Sequence, residues 1–83
     1  MTYSELFAMR IRQLCDKQGI TINKLATLCD LKQSTIDNII RGTSKNPKIK
    51  TLHRIANTLN MTLSEFLDFP ELNDYSFDDI DTE

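Results

Sequence analysis

Gln33, Ser34, Asn38 and Arg41 all carry side chains that donate or accept hydrogen bonds, and Ile36, Ile39 and Ile40 are set among them. At roughly 100° per residue on a helix the isoleucines share one side, while Ser34, Asp37, Asn38 and Arg41 share the other. A short helix divided in this way is anchored by its aliphatic side and presents its polar side to something else. The surrounding residues suggest what that is. Lys32, Arg41, Lys45, Lys48, Lys50 and Arg54 crowd into about a third of the chain, opposed there only by Asp30 and Asp37. Such a local excess of positive charge is the electrostatic footprint of a phosphate-binding surface.

Other chemistries find no support in the residue types. His53 is the sole histidine, and no carboxylate or thiol lies at a spacing that makes a catalytic set with it. Cys15 and Cys29 fall at apolar positions of helical patterns and read as reduced core residues; two thiols define no disulfide framework. There is no metal-ligand cluster and no glycine-rich phosphate loop, so neither an enzyme nor a cofactor is expected. The opening residues MTYSELFAMRIRQ contain no signal-type apolar run, and nothing approaches the roughly 20 apolar residues of a membrane span. A cytoplasmic protein with no membrane partner is the expectation.

The net charge of -2 conceals two unlike parts. Residues 70–83 hold six acidic residues and no basic one, which leaves ten basic against six acidic residues, a net +4, in residues 1–69. The chain divides into a basic domain over 1–69 and an acidic tail over 70–83. At 83 residues with 40% apolar content and only two glycines and two prolines, the domain suits a small all-α fold.

Five helices are predicted. The first runs from about Ser4, read as its N-cap, to Gln18, with Phe7, Ile11 and Leu14 inward and Gly19 as the stop. Thr21 caps a second helix ending near Asp30, with Leu25, Leu28 and Cys29 inward and Ala26 small enough for close approach. The third spans about Lys32 or Gln33 to Arg41, and Gly42 supplies its left-handed exit. Residues 43–48, TSKNPK, read as a loop. A fourth helix starts near Ile49, with Ile49, Leu52, Ile55, Ala56 and Leu59 inward, and Asn60 ends it in the role glycine usually takes. Thr62 and Glu65 have capping-box spacing for a fifth helix, whose Leu63, Phe66 and Leu67 close the core before Pro70 stops it.

Two short helices joined at Asp30-Leu31, the second with exposed polar residues at its start, make a helix-turn-helix. A helix fits the DNA major groove, and its first turns bring side chains against base edges. Over residues 7–69 the chain resembles the phage-repressor and Cro-type, or XRE, family. The resemblance rests on Phe7, Ile11 and Leu14, on Leu25-Ala26, on QSTIDNIIRG, on Ile55-Ala56 with Leu59, and on MTLSEFL, in that order. It implies that Lys32, Gln33, Ser34 and Asn38 meet base edges, the two amides suiting adenine and Lys32 guanine. It likewise implies that Arg41, Thr43, Ser44, Lys45, Lys48 and Lys50 touch phosphates. Asp37 has three readings: orienting a neighbour, accepting from cytosine, or repelling DNA.

The chain departs from the family pattern in three places. Ile22 stands where a phosphate-binding polar residue is frequent, which passes that contact to Thr21, Asn23 or a backbone amide. Lys32 replaces the usual serine or threonine cap of the third helix. Cys15 and Ile40 occupy the sites of an arginine–glutamate pair, and the two are expected to touch, because an apolar pair substitutes for a buried ion pair without stranding a charge. The family resemblance further implies a homodimer on a palindromic duplex operator and action as a transcriptional repressor, with half-sites about 34 Å apart. The dimer surface could draw on the fifth helix with Leu72, Tyr75, Phe77 and Ile80; the other reading of the tail is disorder. The tail could also compete with DNA for the basic surface. The alternative function is an antitoxin or other interaction module with a toxin partner.

Overall fold

The computed structural model describes residues 1–76, and Phe77, Ile80 and the last four acidic residues lie outside them. Six helices occur among the described residues: α1 (Tyr3–Gln18), α2 (Ile22–Cys29), α3 (Gln33–Ile40), α4 (Ile49–Thr58), α5 (Leu63–Leu67) and α6 (Pro70–Asn73). The sixth was not expected, and its existence follows from Pro70: proline ends α5 but is well placed in the first turn of a new helix.

The helix starts follow local chemistry. Thr2, not Ser4, caps α1: the Thr2 hydroxyl accepts from the Glu5 N–H at 3.2 Å, and the Glu5 carboxylate accepts from the Thr2 N–H at 3.1 Å. Ser4 is fully buried and donates to the Ile39 carbonyl at 3.3 Å, tying the first turn of α1 to the last turn of α3. Thr21 caps α2 as expected, and Thr62 with Glu65 forms a complete capping box on α5. There the Thr62 N–H, with its hydroxyl, holds the Glu65 carboxyl below its ordinary value.

Four helices end alike. Gly19, Asp30, Gly42 and Asn60 all have positive φ, and the N–H of the following residue reaches back to a carbonyl five positions earlier: Ile20 to Cys15, Leu31 to Ala26, Thr43 to Asn38 and Met61 to Ala56. Asp30 and Asn60 tolerate the left-handed region because a short polar side chain lessens its cost. The turn between α2 and α3 is therefore built on a left-handed aspartate.

Remaining carbonyls at helix C-termini take side-chain donors. Arg10 reaches the Phe66 and Glu65 carbonyls at 3.0 and 2.9 Å from α1, and its guanidinium lies 5.1 Å from the Phe69 ring centre. Gln18 donates to Leu59 at 2.9 Å, Arg12 to Ile40 at 3.4 Å, and Arg54 to Cys29 at 3.5 Å. These bonds satisfy groups that a helix cannot satisfy for itself, and three of the donors are cations at the negative end of a helix dipole.

The core lies where α1, α2, α4 and α5 converge behind α3. Ile11, Leu25, Ile36, Ile55, Ala56 and Phe66 are completely buried in it, and Phe7 stacks on Phe66 and meets Phe69 edge-on, with ring centres 6.2 and 6.3 Å apart. Cys15 and Cys29 are buried free thiols whose acidity burial suppresses, consistent with core roles. Ile40 is half-buried against the same core. Two expectations fail: Leu28 and Ile49 are 53% and 59% exposed. Both sit at the edge of an apolar stripe, and which side of that edge meets another helix depends on the crossing of α2 over α4, which periodicity does not encode.

The start of the tail belongs to the folded body. Phe69 is buried, and Leu72 and Tyr75 are partly buried against the core. The Tyr75 hydroxyl donates to the Met1 carbonyl, which seats the segment after α6 beside the start of α1.

Candidate nucleic-acid interface

The site starts from the packing of α3. Ile36 and Ile39 are buried, and Ile40 is half-buried, so the opposite side of the helix faces outward. Ser34 and Asn38 are exposed on that side, and Lys32 and Gln33 are exposed at the N-terminal end of the helix. Lys32 is the residue before the first turn, and its side chain makes no cap hydrogen bond to the first N–H groups of α3. Asp37 has a neighbour to orient: its carboxylate accepts from the Gln33 amide at 2.9 Å. The Gln33 carbonyl and second amide hydrogen stay available for a donor and an acceptor on a base edge.

Asn38 is tied to the loop that follows. The Thr43 N–H and hydroxyl and the Ser44 N–H all donate to the Asn38 main-chain carbonyl, at 2.9, 3.1 and 3.1 Å. The Thr43 hydroxyl also lies 3.3 Å from the Asn38 side-chain oxygen. Thr43 and Ser44, read from sequence only as phosphate contacts, thus first hold the end of α3. The hydroxyl of Thr43 orients Asn38 while the Asn38 NH2 keeps both its hydrogens for a ligand.

An open concavity of about 350 Å³ runs from α3 to the start of α4, lined by Leu31, Thr35, Asn38, Ile39, Ser44, Asn46, Pro47, Lys48 and Thr51. It brings Asn38, Ser44 and Lys48 together. Thr35, Asn46 and Thr51 share it, and the sequence reading assigned none of them a role. Thr35 is legible only once α4 is known to stand beside α3; by itself it falls at the margin of the polar side. Lys48, like Lys32, stands at a helix start with no side-chain cap.

The other expected contacts lie apart from this concavity. Arg41 and Lys45 are exposed beyond the end of α3. Thr21 and Asn23 stand exposed at the start of α2, where the Thr21 hydroxyl already accepts from the Lys24 N–H at 3.0 Å but keeps its own hydrogen. Ile22 is packed against the core, so no polar side chain from that position reaches outward. Lys50 and Arg54 border the α2–α4 groove with Leu28 and His53, and they also line a hollow with Leu31 and Thr51, two residues of the concavity's own lining; the Cys29 carbonyl accepts from Arg54. No group of three or more potential metal ligands occurs among the described residues. No helix among them is long and apolar enough to cross a membrane.

Comparison with known proteins bears on the same segment. Residues 11–66 match a protein family described as helix-turn-helix. The chain is 34% identical over 65 residues to control protein C.BamHI of Bacillus amyloliquefaciens, covering 77% of this chain and 79% of that protein. It also superposes on the crystal structure of prophage Lp1 protein 11 with a TM-score of 0.81 and 37% identity, over 88% of this chain and 96% of that one.

Proposed function

We propose, from the premise that this chain belongs to the helix-turn-helix family of phage-repressor and Cro (XRE) type and is a DNA-binding transcriptional regulator, that it is a sequence-specific repressor acting as a homodimer on a palindromic duplex operator. The observation that carries the reading is the division of α3: Ile36 and Ile39 are sealed in the core while Lys32, Gln33, Ser34 and Asn38 stand outside. α3 enters the major groove. Gln33, held by Asp37, and Asn38, held by Thr43, address adenine edges, where an amide gives and accepts one hydrogen bond together; Lys32 addresses guanine, and Ser34 adapts to either partner.

Arg41, Thr43, Ser44, Lys45 and Lys48, with Thr21 and Asn23 on the other flank, contact phosphates. They contribute affinity and register and carry no sequence information. One such domain offers few base contacts, so a second copy doubles the site read, and two-fold symmetry places the half-sites about one helical turn, ~34 Å, apart.

Selection of bound sequences from random duplex DNA tests specificity and symmetry together. The expected result is an inverted repeat whose half-sites are centred about 10 base pairs apart and contain adenine at the positions facing Gln33 and Asn38. Enrichment of no sequence, or of an unrepeated motif, would overturn respectively the specificity and the dimer.

A further inference from the structure

Beyond Asp37 the chain separates its charges by segment. From Asn38 to Ser64 there is no acidic residue, and from Ile55 onward there is no basic one. The only ionisable side chains of α4 are therefore basic, and those of α5 and α6 are acidic. On α4, Lys50, His53 and Arg54 are exposed along an open groove of about 360 Å³ against α2, and its lining includes Leu28 at 53% exposure. At α6, Glu71 and the C-cap residue Asp74 are exposed, and so is Pro70 at the first position of the helix.

The two sets agree in spacing. Lys50 and His53 are three residues apart, as are Glu71 and Asp74, and helical residues so spaced stand about 5–6 Å apart between Cβ atoms. Pro70 supplies an apolar counterpart to Leu28. A phosphate backbone would pair with the bases and leave Leu28 in water, whereas an acidic turn with an apolar edge uses both. Within one chain the two sets are kept apart, because α6 is held to α1 at both ends. Phe69, before it, is buried edge-on to Phe7, and Tyr75, after it, donates to the Met1 carbonyl.

We infer that the α2–α4 groove is a docking site for a second copy of this chain, whose α6 turn sets Glu71 and Asp74 against Lys50 and His53, and Pro70 against Leu28. The contact joins unlike surfaces. Each docked pair therefore keeps one free groove and one free α6, and the contact repeats head to tail, unlike the two-fold pairing of the proposed operator-bound dimer. It goes beyond the DNA-binding reading and does not depend on it. One helical turn in a groove falls well short of the roughly 800 Å² per partner of a stable complex. The association is accordingly weak, and added salt weakens it further.

The test uses two full-length variants, each reversing one side: Lys50→Glu with His53→Glu, and Glu71→Lys with Asp74→Lys. Arg54 and Asp68 are left alone because they bond the Cys29 carbonyl and the Asn73 amide. If thermal melting shows that the second variant is unfolded, Glu71→Gln with Asp74→Asn replaces it, with a loss of about threefold expected. Backbone amide spectra of the wild type without DNA, in about 50 mM salt, should shift with protein concentration at Leu28, at residues 50–54 and at residues 70–74, and the shifts should fade toward about 500 mM. Each reversed variant alone should associate about tenfold more weakly, since two attractions become repulsions. An equimolar mixture of the two reversed variants should recover the association, because the reversed groove then meets the reversed turn. No concentration-dependent shift at either surface of the wild type would overturn the inference, as would a mixture that recovers nothing. So would association lost on changing 71 and 74 but indifferent to 50 and 53, which would give the acidic turn a different contact. If changing 50 and 53 lowers affinity for a random-sequence duplex and leaves association intact, the groove belongs to DNA and the inference falls. Failure of the wild type to bind any duplex would count against the proposed function alone.

Discussion

α1, α2 and α5 begin on Thr2, Thr21 and Thr62, each of whose hydroxyls accepts a first-turn N–H, whereas α3 and α4 begin on Lys32 and Lys48, which cap nothing. Threonine at a helix start contributes on the order of 1 kcal/mol over a residue that cannot accept. The two lysine-led helices are the ones that frame the concavity containing Asn38 and Ser44; the starts of α1 and α5 contribute nothing to it. The short α6, which begins on Phe69, also lacks a side-chain cap, but it has no cation at its start and does not border the concavity. At the starts of α3 and α4 the uncapped N–H groups and a cation together suit an anion. The stability missing there is supplied from behind, by the buried faces of α3 and α4.

That division of labour can be broken most severely from behind. Ile36→Ala, at a completely buried position of α3, is expected to cost roughly 2–5 kcal/mol in chemical denaturation and to abolish DNA binding at temperatures where the variant unfolds. A loss below about 1 kcal/mol would mean that the back of α3 is not what supports its uncapped start.

From the front, Asn38→Ala should leave the denaturation midpoint little changed. It should cost on the order of 1–3 kcal/mol of discrimination at one base position in duplex binding. Thr43→Val, which removes the hydroxyl beside the Asn38 side-chain oxygen, should reproduce part of that loss. A uniform weakening across all sequences would instead make Asn38 a backbone contact.

The caps themselves sharpen the comparison. Thr62→Ala should cost about 1 kcal/mol of stability with DNA affinity unchanged. Lys48→Ser should do the reverse, raising stability by about 0.5–1 kcal/mol while lowering affinity and reducing the salt slope of binding by about 1. If Lys48→Ser leaves affinity and slope alone, the uncapped start of α4 has no part in binding.

The smallest effect concerns pH. The folded Glu65 carboxyl titrates below its ordinary value because Thr62 donates to it, so its contribution is present above the ordinary carboxylate pKa and lost as pH falls through the lower folded value. Thermal melting of the wild type should therefore lose a small increment of stability on acidification that Thr62→Ala has already lost.

Much of this was legible in residue types. The capping box at Thr62 and Glu65, the thiols in the core and the left-handed Asn60 follow from local rules that any helix obeys. The two-faced character of α3 was equally legible, since Ile36 and Ile39 occur at a spacing only a helix puts on one side. Ser4 shows where local rules stop. It is a good capping residue by type, but Thr2, two residues earlier, forms a reciprocal pair with Glu5, and the Ser4 hydroxyl goes instead to a carbonyl 35 residues away. Leu28 and Ile49 fit the apolar stripe of their helices and still face water.

By itself, then, the chain's order of residues determined which segments coil, where they stop and which side of α3 is polar, because each depends on atoms within about one turn. Only the assembled structure decided that Asp37 steadies Gln33, that Thr43 steadies Asn38, that Thr35 and Thr51 share a concavity with Lys48, and that Tyr75 ties the segment after α6 to the start of the chain. The physical reason is range. These relations depend on how helices cross and on which rotamer a neighbour leaves open, and neither is encoded in the spacing of residues along one helix.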